Sequence, residues 1–421
     1  MMKLVLPFFL LCGLSLSVQA AELTRTAVAR YGELRILRVD YLGAFRTARS
    51  ELALLTSLRR GEKLSEVDPD AVVQRLERTG LYSEVSLGYE LKEGGVVIQV
   101  ELREKWTLIP LPFAAYSGQA LTLGLIFMDS DFLGSMSTLA TGGFWTVDGW
   151  AANLAYFKRR IGGSDVDASF FAVGGRGERK AAYADGSLYE SYARDFAGGG
   201  ITANFLAGRE LRPFVGTRFA WSRPEASYAA RQGWPPESAY LAPELGLSYD
   251  GRRVEGWFKP GLDAKAKLKQ GIPLEGGSTY LFGGLDAGIL VKVLGGAALS
   301  FGASAGYGDE PSSQSERLGG PGYRTLPFGE TFSTRYGAAH ADFEFPVARS
   351  AWGLLTLTAF YEAGVYETGP DGGERAELFH GPGGGLRFYL RHIAFPALGA
   401  DFAYDVPRGQ IEFSASLGFS M

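Results

Sequence analysis

Few side chains in this sequence are placed to break or make bonds. Hydrolysis at a serine would need a general base, ordinarily a histidine, and the chain has His340, His380 and His392. His340 falls on the inward face of a strand pattern, His380 at a loop edge and His392 beside a short turn. No Ser-His-Asp set can be assembled from them, and their spacing matches no metal motif. The expectation is therefore no enzyme, no metal and no cofactor. What remains are charges in unusual places. Alternation puts His340, Asp342 and Glu344 on one strand face, with Arg387, Arg391, Asp401 and Asp405 on the same face of neighbouring strands. A structural ion network that stiffens a wall is the expected role, and a transport role is the alternative. A lone arginine, Arg324, sits in RLGGPGYRTLPFGE (residues 317–330), a run with almost no hydrophobic periodicity. Its planar fork suits it to hold a carboxylate through two charge-assisted hydrogen bonds.

The elements that must position these charges follow from the rest of the chain. Met1–Lys3 carry positive charge, Leu4–Ser17 is apolar but short for a membrane span, and Val18-Gln19-Ala20 ends in a small-residue cleavage pattern. Residues 1–20 read as a signal peptide. The single cysteine, Cys12, lies inside it, so the exported chain has no disulfide and no thiol chemistry.

Composition points to a membrane barrel. The chain has 58 glycines, 13% aromatic residues and a mean hydropathy close to zero. It has no later apolar run of the roughly 18 residues that a membrane helix needs. A barrel wall with one face in lipid and the other in water averages its hydropathy in this way. The net charge of −4 argues against nucleic acid as a partner.

Residues 22–105 read as a small α+β domain. Glu33–Gly43 alternates like a strand, and Thr47–Leu58 and Asp68–Thr79 have helical spacing. Asp68 is a good N-cap, with Pro69 at the first helical position. Ser83–Lys92 and Val96–Arg103 are strands joined by the hairpin signal Glu93-Gly94-Gly95. This β-α-α-β-β order, with GLYSEV (residues 80–85) before the second strand, resembles a POTRA domain. Such domains are periplasmic modules of outer-membrane assembly and secretion proteins.

Residues 106–421 read as a strand array, at approximately 105–117, 120–132, 133–146, 149–161, 164–178, 191–208, 212–224, 239–251, 254–270, 277–292, 295–309, 335–348, 352–366, 380–393, 397–406 and 409–420. That is roughly sixteen strands, an even number as single-chain bacterial barrels have. The long connections, 179–190, 225–238, 310–334 and 367–379, all follow odd-numbered strands, whereas those after even-numbered strands are expected to be short. This is the asymmetry of external loops and periplasmic turns, and it puts the small domain on the periplasmic side. Trp106, Trp145, Trp150, Trp221, Trp257 and Trp352 fall near strand ends, as interfacial girdles require; Trp234 falls in a long loop. On the thirteenth strand Leu355, Leu357, Ala359, Tyr361 and Val365 should face lipid, opposite Thr356, Thr358, Phe360, Glu362 and Gly364. The last strand should turn Ile411, Phe413, Leu417 and Phe419 outward. It resembles the terminal signal read by the barrel-assembly machinery, although here Ser420 and Met421 follow the last aromatic.

Strand counting gives RLGGPGYRTLPFGE an address between the eleventh and twelfth strands. There the chain resembles the BamA/TamA outer-membrane assembly family, the bacterial surface antigen superfamily, whose corresponding loop folds back into the lumen. Its motif carries two glycines and an arginine followed by Gly and an aromatic, and the arginine docks on F-x-D-x-G in strand thirteen. The resemblance implies a loop-to-barrel latch made of Gly319, Gly320, Arg324, Phe360, Glu362 and Gly364. Two departures stand out: Thr325-Leu326 replace the Gly-aromatic pair, and Glu362 replaces Asp.

The resemblance further implies a monomeric outer-membrane barrel that assists insertion or translocation of polypeptides, in contact with outer-membrane lipids and with periplasmic or lipoprotein helpers. Clients would pair with an exposed sheet edge, either Ser83–Lys92 or Glu33–Gly43. A weak seam is expected between the first and last strands, where Gly409 and Gly418 leave few packing anchors. A passive or lipid-handling channel of the same plan is the alternative. A two-partner secretion pore would need a second POTRA domain and a plug helix, for which Glu22–Gly32 is too short.

Overall fold

The computed structural model describes residues 21–417, apart from 78, 118–119, 184–187, 209, 226–236, 254–257, 312–315, 319–321, 328–330, 369–374 and 391–395. The signal peptide, Gly319, Gly320, Arg391, His392, Trp234, Trp257, Gly418 and Phe419 lie outside the described residues. Two compact units meet between Trp106 and Thr107.

The first unit contains β1 (Ala21–Glu22), α1 (Arg25–Tyr31), β2 (Ile36–Ala44), α2 (Arg49–Thr56), α3 (Pro69–Glu77), β3 (Tyr82–Lys92) and β4 (Gly95–Glu104). The sheet order is β1-β3-β4-β2. β2 runs parallel to β4, which requires a crossover, and α2 and α3 supply it. The start of α3 is fixed as the Asp68-Pro69 pair leads one to expect: Asp68 Oδ1 accepts from the backbone N–H of Asp70 (3.2 Å) and Ala71 (3.3 Å). Leu52, Leu64, Leu76, Ile98, Val100 and Leu102 are buried and make the core. Within residues 22–32, too short for a plug helix with its linker, a seven-residue helix forms. Thr24 caps α1 by accepting from Ala27 N–H, and Leu23 and Ala27 are buried. Seven residues make too few turns for a hydrophobic period to show.

The second unit is a closed antiparallel barrel of sixteen strands. They are β5 (Leu108–Ser117), β6 (Ala120–Asp129), β7 (Ser137–Thr146), β8 (Gly149–Lys158), β9 (Val166–Ala182), β10 (Leu188–Phe205), β11 (Leu211–Pro224), β12 (Ser238–Asp250), β13 (Gly261–Glu275), β14 (Tyr280–Lys292), β15 (Ala298–Gly308), β18 (Tyr336–Arg349), β19 (Gly353–Thr368), β20 (Arg375–Leu390), β21 (Pro396–Asp405) and β22 (Gln410–Leu417). A two-residue ribbon, β16 (Glu316–Arg317) with β17 (Phe332–Ser333), lies inside the long connection between β15 and β18. Every strand expected from the sequence has its counterpart. The faces alternate as expected too: Leu357, Tyr361 and Val365 are exposed, while Thr356, Thr358, Phe360 and Glu362 are buried. Most wall strands carry exposed Leu, Ile, Val or Phe side chains on the outside. A continuous apolar surface of this kind needs hydrocarbon around it.

The expected asymmetry of the connections holds only in part. β9 runs on to Ala182 and β10 begins at Leu188, so 179–190 shrinks to 183–187; 367–379 shrinks to 369–374. Conversely, 130–136, 159–165 and 251–260 follow even-numbered strands and are longer than expected. The physical reason lies in strand length. β9 has 17 residues and β10 has 18, well beyond the roughly 9–11 that cross a bilayer. Past the apolar band the hairpin goes on pairing with polar side chains, as where Lys180 bridges Glu178 (3.1 Å) and Asp148 (3.6 Å). Polarity there resembles a loop in sequence although the backbone is still a ladder.

Glycine and aromatic content are linked through close packing across strands. Phe214 lies over Gly246, where an added Cβ would sit 2.4 Å from the ring, and Phe360 lies over Gly383, where it would sit 2.1 Å away. Rings laid on glycines fill the lumen wall without widening it.

The wall closes where β22 meets β5; among the described residues the pairs are Ser414–Leu417 against Ala114–Ser117. Outside it, Phe402, Phe413 and Tyr116 form a file of rings, with centroids 4.7 and 5.9 Å apart.

The small unit offers its own test of backbone geometry. Gly43 has φ +100°, and a Cβ there would lie 2.2 Å from Leu102 O in β4. Gly43→Val should cost about 1–3 kcal/mol locally, seen as faster amide exchange in β2 and β4 with exchange in the barrel unchanged.

Candidate functional site

Arg324 is held inside the barrel by two carboxylates. Its Nε donates to Glu362 Oε1 at 2.7 Å and its Nη2 to Asp342 Oδ1 at 2.5 Å. The guanidinium lies 3.5 Å from the centre of the Phe360 ring, a cation–π stack. The side chains of Arg324 and Glu362 are 11% and 0% exposed, so the charges could not persist there unpaired. Strand register creates the cradle: Asp342 on β18 sits opposite Phe360 on β19, and His340 sits opposite Glu362. Ring and carboxylates therefore share one inward patch.

The two places where the loop and strand depart from the motif they resemble, Thr325-Leu326 and Glu362, both make contacts. Glu362 has a second oxygen, Oε2, which accepts from Thr325 N–H at 3.0 Å and from Thr325 Oγ1 at 3.1 Å. Leu326 is buried among Leu318, Tyr323, Ala338, Tyr366 and Phe379. Tyr323 shares a hydrogen bond with Ser304 Oγ (2.6 Å) and meets Phe379 edge-on at 5.3 Å. Gly364 makes room for that packing, since a Cβ there would lie 2.5 Å from the Phe379 ring.

The other described lumen charges make contacts of their own. Asp342 belongs to the latch, with His340 Nε2 3.7 Å from its other oxygen. Glu344 is 3.7 Å from Arg387 and accepts from Thr356 Oγ1 at 2.5 Å. Asp405 pairs with Arg408 at 3.2 Å, and Arg408 also donates to Tyr366 Oη at 3.1 Å. Asp401 is buried beside Gly385. His380 shares a hydrogen bond with Tyr361 Oη (2.9 Å).

Sequence reasoning missed several anchors of the same loop. At its root the buried Glu310 pairs with Lys269 of β13. At its other end Arg335 donates to Gly308 O (3.2 Å) and pairs with Glu367 (3.3 Å). Phe332 reaches across the lumen to β9, where the buried Arg179 lies 3.9 Å from its ring centre. At the end of β9, the Tyr183 ring lies 5.7 Å from the guanidinium of Arg375 in β20. The Asp342 contact was legible from pairing register alone, because it neighbours Phe360. The cross-lumen contacts had no sequence signal, since they join elements far apart around the wall.

Arg324→Ala and Glu362→Gln should each destabilise the folded barrel by about 3–5 kcal/mol, and Thr325→Gly by about 1 kcal/mol. The temperature at which electrophoretic mobility changes from folded to unfolded barrel should fall in that order. Arg179→Ala should leave that temperature nearly unchanged and raise conductance of the reconstituted protein, because it releases Phe332 from β9 and leaves the contacts of Arg324 in place.

No family model matches the chain, and no curated protein matches it by sequence. Among solved structures it is similar to BamA from Haemophilus ducreyi lacking POTRA domains 1–3 (TM-score 0.68, 17% identity, 92% of this chain and 85% of that one). It is also similar to CdiB from Escherichia coli (TM-score 0.64, 12% identity, 92% and 77%) and to CdiB from Acinetobacter baumannii (TM-score 0.63, 12% identity, 92% and 74%). At these identities the likeness is one of fold, and it covers nearly the whole chain.

Proposed function

We propose that this protein assists the insertion of polypeptides into the outer membrane, or their translocation across it. On this reading the first unit is a single POTRA-like domain in the periplasm. The observation that carries the reading is the latched inward loop: Arg324 on Asp342 and Glu362, between the eleventh and twelfth strands of a sixteen-stranded wall. The fold likeness to BamA and CdiB supports it. A lumen with a loop fixed inside it suits a wall that handles chains better than an open pore. No catalytic step is assigned to it.

Clients would add to the sheet of the first unit by strand pairing. The edge expected at Ser83–Lys92 is partly occupied, since Ala21 and Glu22 pair with Tyr89 and Gly88, and Leu23 N–H donates to Leu87 O. The other edge, β2, pairs with β4 on one side and carries only the 61–64 turn near Ile36 on the other. The proposal therefore assigns the client strand to β2 from Arg38 to Gly43. A photo-crosslinking residue at Arg38 or Leu42 should capture an extended outer-membrane or secreted polypeptide in cells, with little capture from Tyr89. Capture of lipid alone, with other barrels still assembled after depletion, would favour the passive or lipid-handling channel instead.

A further inference from the structure

The outer face of the wall is unevenly clad where the barrel closes. In register, one row of outward side chains runs Leu386, Ala400, Ala415, Tyr116 and Leu121 across β20, β21, β22, β5 and β6. Phe388 on β20 and Leu398 on β21 face each other in the next row, and Ala114 lies on β5. Leu386 stands at one end of the first row and Tyr116 and Leu121 at the other, and Ala400 and Ala415, with Ala114 beside them, lie low between. They leave a depression of about 420 Å³ that straddles the join of β22 and β5. Arg387 is the only charged residue in its lining, and its guanidinium is turned to Glu344 on the lumen side.

We propose that this depression is a binding site for one acyl chain of a membrane lipid. The choice of occupant follows from its surroundings. The depression is continuous with the apolar outer surface, so hydrocarbon is the phase that touches it. Water would find too few polar partners there, since an ordered water needs two to four. An added strand from a polypeptide would seek backbone hydrogen bonds, which run in the plane of the wall and not out from it. A hydrocarbon chain fills the gap by dispersion alone, and an unfilled gap forfeits those contacts. The chain lies across the closure and touches both sides of it, Leu398 and Leu386 on one and Tyr116 and Leu121 on the other. Lipid thereby adds packing across the join of the first and last strands. The inference rests on the membrane-facing wall and is independent of any polypeptide cargo.

The test uses the full chain in vesicles containing phosphatidylethanolamine with a photoreactive diazirine in its acyl chain. Mapped adducts should concentrate on peptides carrying Tyr116, Leu386 and Leu398, severalfold above those from the outer face of β12 around Leu245. Ala400→Leu and Ala415→Leu fill the depression and should remove that excess, while Leu245→Ala should leave it intact. Even labelling around the barrel, or an excess that persists in both alanine variants, overturns the site. If neither variant assembles, the wild-type distribution of adducts still decides. Client capture at β2 is a separate readout, so failure of the lipid site and failure of the polypeptide role are distinguishable.

Discussion

A guanidinium buried in the lumen is the constraint around which this barrel is organised. Desolvating Arg324 is costly unless its donors are satisfied, and the two carboxylates that satisfy it come from adjacent strands. The ion pairs therefore do more than fasten a loop. They hold β18 and β19 in the register that puts Asp342 beside Phe360, since slipping a strand by one residue would turn every inward group outward. They also call for empty space nearby. Gly383 accepts the Phe360 ring and Gly364 accepts Phe379, so two glycines on neighbouring strands become part of the arginine site without touching it.

The pair of departures, Glu for Asp and Thr for Gly, is better understood as one change. A longer carboxylate extended toward Arg324 brings a second oxygen into a fully buried position, where an unsatisfied acceptor costs about 1–3 kcal/mol. Thr325 meets it with an N–H and a hydroxyl. Glycine would have offered only the N–H. The side chain that looks like a loss of loop freedom is thus the complement of the longer acid. Leu326 takes up the remaining packing against Leu318, Tyr323, Tyr366 and Phe379.

Much of this was legible in the sequence because strands facing two media must alternate, and alternation survives without knowledge of partners. The sixteen strands, their faces and the address of Arg324 all followed from period two. What escaped detection shares a different physical origin. The outer ends of β9 and β10 are polar on both faces, so pairing continues there after the period-two signal has faded. Lys269 and Glu310 are ordinary charges in sequence, and only the fold makes them a buried pair. Arg179 and Phe332 meet across the lumen, a relation that spacing along the chain cannot encode. Asp342 is the intermediate case: its face was clear, but its partner depended on register.

The distribution of these contacts divides the wall mechanically. From β13 to β20 the strands are tied through the lumen by Lys269–Glu310, the Arg324 latch, Arg335–Glu367 and Arg387–Glu344. Parting two strands in that arc would break buried ion pairs as well as a long ladder; β18 and β19 pair from Tyr336 to Arg349. At the closure the described pairs of β22 with β5 are backed by a file of rings, Phe402, Phe413 and Tyr116, on the outside. Each local opening costs what its own contacts supply, so regions differ in stability within one fold. Strain on the arc from β13 to β20 therefore meets buried ion pairs as well as backbone hydrogen bonds, and the loop anchored there keeps its place while that arc holds.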